Sequence, residues 1–450
     1  MKILLVVHTF LPKYIGGTEV CVFELAKEFI RKGHKVIVFC TDPLSSKKEG
    51  VIDSVKYRGI DVIAVNKNIK MNLSFSDTYS DNKVILPFSK IIESFKPDVI
   101  HYHHFMHLSI EMVNIGKKYK IPQVYTLHDF WLQCIMHQRI TTRGELCRSF
   151  DEEKCSQCLS DIMNVGSLED TPFDLKELMK SPNKSKFIGI ALKKLYSRNL
   201  CKLKFIKNKG TYLSIIKQRN ISIRKAISKI DLLIFPTKFL YHEFLLWEIK
   251  PNKFILSSDG IDTKKFLNFK RMKSNEVSFG YIGSIVKNKG LDMILKAWPK
   301  LDKGNYSLKI YGGLSVDKKY SQYILNLSKN LKNIKFLGTF PSDKISEVYS
   351  KIDVLIVPSR WFENAPLVIR NALQTKTPII AVNLGSIPEL VFDGKNGKLY
   401  GNEDLKGLIS QMNYFIKNPN IIDTMIGNFS KQKSIEKNAE ELLSSYKSIN

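Results

Sequence analysis

Lys289 and Gly290 close the run Gly283-Ser284-Ile285-Val286-Lys287-Asn288-Lys289-Gly290, which lies between a hydrophobic stretch and an apolar-periodic one. A lysine at such a strand-to-helix turn could hold a diphosphate, because the helix end offers N–H donors and the lysine adds a charge. By itself the pattern is weak, since a loop lysine is most often simply solvated. Glu363 stands in residues 358–368, also between a strand-like and a helix-like stretch. A carboxylate there either caps the helix or grips ligand hydroxyls, such as those of a sugar. A third segment, 385–397, reads at least as a pair of glycine turns. Near the N-terminus, Gly16-Gly17 would let backbone approach a ligand with no side chain in the way, or would simply turn the chain.

Histidines mark two further strand ends, His101-Tyr102-His103-His104 and His128-Asp129. A lone histidine is more often structural than functional, and neither group forms a Ser-His-Asp or metal-binding array. Cys134, Cys147, Cys155 and Cys158 leave gaps of 12, 7 and 2 residues. Four thiolates so close could hold a structural zinc, with Arg139, Arg143, Arg148 and Lys154 offsetting their charge. The alternative is four unrelated reduced thiols, because the second C-x-x-C of a strong zinc signal is missing.

The elements that must carry these residues are legible. Ile3 to Val7 reads as a strand, followed by the Gly16-Gly17 loop and a helix with apolar residues at three- to four-residue spacing. Thr18 is placed to cap that helix and Gly33 to end it, before a second strand at 36–39. The same grammar resumes near residue 277 and repeats through strands near 308, 334, 354 and 378. Strands alternating with helices predict doubly wound parallel sheets, whose ligands sit at the carboxyl ends of the strands. Two such domains are expected: 1–250, carrying the cysteine loop (134–158) and a basic helical insert (184–229), and 251–425. Residues 426–450 read as a C-terminal helix, and the cleft between the domains is the natural site.

Composition narrows the rest. The chain has 450 residues, of which 44% are hydrophobic and 25% charged, which excludes wholesale disorder. No apolar run approaches the ~18 residues of a membrane span, and the opening stretch breaks at His8, too early for a signal-peptide core. Seven cysteines are too few for a disulfide scaffold, so a reducing, cytoplasmic location is expected. The net charge of +27 calls for an anionic partner or reflects a lysine-rich composition. Residues 184–229 hold 14 lysines and arginines and no carboxylate. Ile188, Leu192, Leu195 and, further on, Leu203 and Ile206 recur there at helical spacing, with Phe187, Tyr196, Phe205 and Tyr212 interleaved. Such a stretch reads either as an interfacial segment on an anionic membrane or as a helix whose apolar stripe packs on its own domain. Nucleic acid is excluded as a partner for want of any recognised binding motif.

Taken in order, segments 283–290, 358–368 and 385–397 closely resemble those of the retaining glycosyltransferases of GT-B architecture, specifically glycosyltransferase family 4. The resemblance covers most of the chain and is weakest between about 165 and 215. It implies a fold of two Rossmann-like domains facing a cleft, with the C-terminal helix crossing back to the first. It implies that Lys289 binds the donor diphosphate, that Glu363 contacts the donor sugar, and that His128 lies near that sugar. His103 matches another recurrent histidine of the family. Gly16, Gly17, Ser284, Lys287, Asn364, Ala365, Pro366 and Leu367 fall in its donor-binding segments, and a subset of the family carries a similar cysteine set. Two positions depart from the pattern. The second glutamate of the family's spaced pair, which holds the ribose hydroxyls, is Asn371 here. Losing a charge-assisted hydrogen bond there costs about 1 kcal/mol of donor binding. Many members also carry arginine at Ser284, and Lys287 could compensate.

The implied reaction moves a sugar from a nucleotide-diphosphate sugar to a hydroxyl acceptor with retention. Lys289 would stabilise the leaving diphosphate, Glu363 and His128 would orient the sugar, and closure would exclude water. No divalent metal or other cofactor is required by the resemblance. The basic insert makes a glycan or lipid-linked acceptor attractive, placing the enzyme peripherally on the cytoplasmic face of a membrane, in surface-polysaccharide or glycolipid assembly. Two other readings stand beside this one: a non-catalytic GT-B protein whose donor site has decayed at Asn371 and Ser284, and a nucleotide-sugar epimerase.

Overall fold

A computed structural model describes residues 1–67, 74–165, 201–249, 253–272, 275–425, 427 and 429–449, with side chains from 164–165 and 201–209 left out. The chain divides into two compact units. The first comprises Met1–Pro236, Leu240–Ser257 and Glu436–Asn450, and the second Thr237–Phe239 and Ser258–Ile435.

The first unit is built on strands β1 (Lys2–Val6), β2 (Lys35–Asp42), β3 (Ile52–Tyr57), β4 (Ile60–Asn66), β5 (Val99–Tyr102), β6 (Gln123–Thr126), β7 (Leu232–Phe235) and β8 (Phe254–Leu256). Their order is β3-β4-β2-β1-β5-β6-β7-β8. Every neighbouring pair is parallel except β3 with β4, which form a hairpin. Arg58 and Gly59 both take positive φ in its two-residue turn, which matches the twist of the flanking strands. Central strands covered on both faces need continuous apolar runs, and Ile3 to Val7 are all fully buried. The helix Gly17–Arg31 seats Cys21, Val22, Leu25, Ala26 and Phe29 on this sheet. Its N-cap is Gly16, with no side-chain cap, so the sequence-based placement of the cap at Thr18 lies inside the first turn. Gly33 takes φ +84 just past the helix, as the sequence requires.

The C-terminal helix Ile435–Lys447 belongs to this first unit from Glu436 onward, as the resemblance implies. It buries Ala439, Leu442 and Tyr446, which lie on one helical face. Lys32 pairs with Glu440 at 2.8 Å, and the Tyr446 hydroxyl lies 2.6 Å from His101 Nδ1.

Of the basic insert, residues 184–200 lie outside the described residues, and so do the side chains of Leu203, Phe205 and Ile206. The helix Cys201–Ile227 packs along Glu152–Val165. Its apolar stripe, Tyr212, Ile216, Ile223, Ala226 and Ile227, is buried, while Lys217 and Lys225 face outward. Arg219 is buried with that stripe and donates to the carbonyls of Trp131 and Leu132. Over this part the apolar stripe is covered by protein, and Lys217 and Lys225 are exposed with mostly polar neighbours and Ile221. Among the described residues no helix is long and apolar enough to cross a membrane.

The second unit holds β9 (Val277–Ile282), β10 (Tyr306–Tyr311), β11 (Ile334–Gly338), β12 (Val354–Val357), β13 (Ile379–Val382) and β14 (Gly397–Tyr400), all parallel, in the order β11-β10-β9-β12-β13-β14. The order reverses between β9 and β12, so the loops leaving these neighbours diverge and open a crevice. In the first unit the reversal lies between β1 and β5.

Candidate functional site

The two loops at the second unit's reversal point carry the residues singled out by the sequence. After β9 the chain forms a single turn, Lys287–Lys289, then Gly290, then the helix Leu291–Ala297. Gly290 takes φ +69, and a Cβ there would run into the Pro358 carbonyl oxygen. Glycine is therefore what lets the lysine-bearing turn approach the loop after β12.

Arg360 ties the same two loops together. Its guanidinium donates to both oxygens of Asp292, at 2.6 and 2.9 Å, and to the Lys287 carbonyl. Its backbone N–H donates to Asn288 O at 2.8 Å. Asp292 also accepts from Lys296 and from the Tyr320 hydroxyl, each at 2.8 Å. Burial alone would raise the Asp292 carboxyl, but Arg360, Lys296 and Tyr320 outweigh it and hold it at about 2.

With the loops so joined, Lys289 Nζ lies 2.6 Å from Glu363 Oε1. Ser359 Oγ donates to that same oxygen at 2.6 Å, and Trp361 Nε1 at 2.7 Å. The Trp361 ring also faces the Lys289 ammonium, 4.8 Å from its centroid. Three donors thus converge on Oε1, while Oε2 accepts from none of the described residues. A carboxylate pinned by one oxygen presents the other in a fixed direction, which suits a ligand hydroxyl.

Glu363 is 5% exposed, and the loop behind it is held by main-chain bonds. Ser386 donates to Glu363 O through its N–H, at 3.1 Å, and through its hydroxyl, at 2.8 Å. Gly385, at φ +61, leaves no room for a Cβ against the Glu363 backbone. Asn364 accepts from Thr237 of the same unit at 2.7 Å, and Pro366 is the N-cap of the helix Leu367–Gln374, with Ala365 just before it. Asn371 lies in that helix, partly exposed, and its side-chain amide bonds to no described residue. Ser284 and Lys287 are both exposed.

In the first unit, β1, β5 and β6 are adjacent and in parallel register, so their carboxyl ends come together. This collects His8, His103, His104, His128 and Asp129. His103 Nδ1 lies 3.0 Å from His128 Nε2, and His104 Nε2 lies 3.0 Å from Asp129 Oδ2. His8 and His104 rings are 4.4 Å apart. His8 Nε2 lies 3.0 Å from Glu19 Oε1, which also accepts from Thr9 Oγ1 at 2.6 Å. Burial would raise Glu19, but His8 and Thr9 bring it down to about 2. Burial pushes His104 down, against the pull of Asp129. Gly16 and Gly17, at the start of the helix carrying Glu19, stand at the same end of β1.

The sequence reading did not single out His8, Glu19, Ser359, Trp361, Arg360 or Asp292. A signal existed for each: His8 and Glu19 flank the first glycine loop, and the other four sit in or beside the two segments already chosen. What was missing was the pairing across loops.

The four cysteines lie near enough to influence one another, but no three of their sulfurs lie within 4.8 Å of one another. Cys147 is fixed by its N–H to Arg139 O at 2.7 Å, while Cys155 and Cys158 are one turn apart on the helix Glu152–Val165. All four are free of disulfides. Cys155 feels the charge of the other three, and burial pushes Cys134 up to about 12, with its neighbours adding to the rise. Four neighbouring thiols are the donor types of a structural zinc, but their sulfurs do not stand at metal-ligand spacing in this structure. Arg139 donates to the Cys147 carbonyl and pairs with Glu243, and Lys154 bonds to Ser149, so these two cations are engaged beside the thiols rather than on them.

Comparison with known proteins bears on the family and the fold. Residues 262–442 match the family described as Glycosyl transferases group 1, and residues 15–151 match Glycosyltransferase Family 4. An uncharacterized 42.6 kDa protein in cps region from Klebsiella pneumoniae is 23% identical over 399 residues, 87% of each chain. Among solved structures, sucrose-phosphate synthase from Thermosynechococcus elongatus aligns with a TM-score of 0.67 at 14% identity, over 100% of this chain and 98% of that one. HepE from Anabaena, in complex with UDP-glucose, aligns with a TM-score of 0.63 at 16% identity, over 99% of this chain and 100% of that one. At such identities the structural likeness shows the fold.

Proposed function

Because this chain is a GT-B glycosyltransferase that depends on a sugar nucleotide, related to the group 1 and family 4 enzymes, we propose that it moves a hexose with retention to a hydroxyl acceptor without a catalytic metal. The observation that carries the reading is the convergence of Lys289, Ser359 and Trp361 on one oxygen of Glu363. Departure of a nucleoside diphosphate leaves negative charge, and Lys289 is the cation placed to meet it. Before a donor arrives, Glu363 takes the place of that charge. When the diphosphate draws Lys289, Ser359 and Trp361 keep the carboxylate in place, so that Oε2 can accept from a sugar hydroxyl. His128 supplies a further hydrogen bond to the sugar. A uridine diphosphate donor is the first to try, since HepE is seen with UDP-glucose. The role we propose lies in surface-polysaccharide or glycolipid assembly, on the cytoplasmic face; the Klebsiella relative is named for a cps region. Cys134, Cys147, Cys155 and Cys158 would hold a zinc that braces the loop after β6, apart from the chemistry.

Thermal unfolding of the purified protein against UDP, GDP, ADP and their sugar conjugates tests the donor. A ligand at 100 times its Kd adds about 2.7 kcal/mol. We expect UDP compounds to raise the Tm of the natural protein and to leave a Glu363→Ala, Lys289→Ala double variant unmoved. Asn371 and Ser284 favour a second reading, a GT-B protein that binds a glycan or a partner without transfer. Absence of any shift at millimolar nucleotide selects it.

A further inference from the structure

Segment 385–397 reaches the loop of Glu363 by two routes. Ser386 holds the Glu363 carbonyl directly, through its N–H and its hydroxyl. Glu389 acts at one remove. It stands in the helical turn Ile387–Leu390, and each of its carboxylate oxygens accepts a main-chain N–H. Oε2 takes that of Lys238 at 2.9 Å, and Oε1 that of Phe239 at 2.6 Å. Both donors belong to Thr237–Phe239, which the second unit includes. They stand at the start of the helix Lys238–Leu246, where N–H groups lack partners within the helix and the dipole favours an anion.

The segment so held touches both neighbours of Glu363. Thr237 Oγ1 donates to Asn364 Oδ1 at 2.7 Å, and the Phe239 ring lies 5.3 Å from that of Phe362. Thr237, Phe362 and Asn364 are all buried. The chain before and after Glu363 therefore rests on 237–239, while Ser386 grips the carbonyl between. A shift of this seat moves the carboxylate relative to Lys289, Ser359 and Trp361, its three donors. Displacement by about 1 Å is enough to lose a hydrogen bond.

We propose that Glu389 is a positioning residue for Glu363: it seats 237–239, and through Thr237 and Phe239 it aims the Glu363 carboxylate at the ligand. The position requires a carboxylate. Glutamine has nearly the same size but one acceptor oxygen, and it would turn its own NH2 toward the second N–H. That the aimed oxygen of Glu363 meets a sugar hydroxyl rests on the transfer reading; the seating of Glu363 does not.

The test is NMR of the indole N–H groups in the full-length protein labelled with 15N-tryptophan. Trp361, one of four tryptophans, is identified by the loss of its signal in Trp361→Phe. Its N–H donates to Glu363 and so reports where that carboxylate stands. Glu389→Gln should move the signal. Thr237→Val, which removes the hydroxyl with no change of charge, should move it too, and Thr237→Ser should leave it in place. In binding measurements UDP-glucose should bind about tenfold more weakly to Glu389→Gln and Thr237→Val, the worth of one hydrogen bond. UDP should bind them as it binds the natural protein, and Thr237→Ser should bind both ligands normally. An unmoved Trp361 signal in folded Glu389→Gln overturns the proposal, and Thr237→Val decides in the same way should Glu389→Gln not fold. Equal weakening of UDP and UDP-glucose overturns it too, because the damage would then extend beyond Glu363. Moved signals, with no binding of UDP, GDP, ADP or their sugar conjugates to the natural protein, would keep Glu389 in its role and remove the sugar-transfer reading instead.

Discussion

Glu363 illustrates what a single side chain needs before it can recognise a ligand. Its carboxylate is buried, and three donors on one oxygen remove its freedom to rotate. The position was legible in the sequence from the segment it sits in. Its donors were not, because Ser359 and Trp361 look like ordinary loop residues until the loop folds back on itself. Asp292 makes the same point for electrostatics. Its carboxyl is held at about 2, below the ordinary 3.8. A folded-state pKa below the unfolded value stabilises the protein above about pH 4, and the gain is lost as pH falls toward 2. The full term is about 2 kcal/mol. Urea unfolding should therefore find Asp292→Asn less stable than the natural protein at pH 5, with the gap narrower by about 1 kcal/mol at pH 3. A gap that does not change with pH would show that Arg360 contributes packing and not charge.

At the scale of elements, loops are positioned by what they are allowed to touch. Gly290 lets the turn after β9 meet Pro358, and its φ of +69 disfavours any side chain. Gly290→Ala should cost about 2 kcal/mol of stability from strain and displaced backbone. It should also weaken nucleotide binding more than that loss accounts for, as seen by thermal shift at saturating UDP. Equal binding in the variant would mean that the turn is not part of the donor site. The loop after β6 is a second case. Its cysteines were recognisable as a group, yet spacing could not say whether they meet. They lie near one another, though no three of their sulfurs come within 4.8 Å of one another. Metal analysis of protein purified without chelator should find about one zinc per chain, and a chelator at elevated temperature should lower the Tm, since metal binding is coupled to folding. A metal-free protein with unchanged Tm would return them to four buried thiols.

At the scale of the whole molecule, the charge of +27 is the property that no single element explains. The described part of the basic helix presents lysines outward while its apolar stripe is covered. Attraction to an anionic surface through that face would be electrostatic, and hence screened by salt. Co-sedimentation with vesicles containing anionic lipid should be strong at low salt and largely lost near 0.5 M, with no binding to neutral vesicles. Salt-resistant binding would point to apolar insertion, and absence of binding at low salt would remove the membrane from the proposal.

The sequence by itself determined the fold class, because strand and helix periodicities, glycine stops and apolar runs are local properties that survive being read one segment at a time. It placed β9 at Val277–Ile282 and β12 at Val354–Val357, the residues expected. It also singled out Lys289 and Glu363, through segments whose order along the chain is itself the signal. It passed over the β3–β4 hairpin and the short edge strand β8; in β3 and β8 exposed, mixed residues leave no clear period. Only the tertiary structure decided which side chains share a proton or a charge. His8 with Glu19, His103 with His128, Arg360 with Asp292 and His101 with Tyr446 are separated by between 11 and 345 positions. Sheet order brings His103 to His128 and Arg360 to Asp292, and helix docking brings Glu19 to His8 and Tyr446 to His101; both follow from packing of the whole chain rather than from any stretch of it.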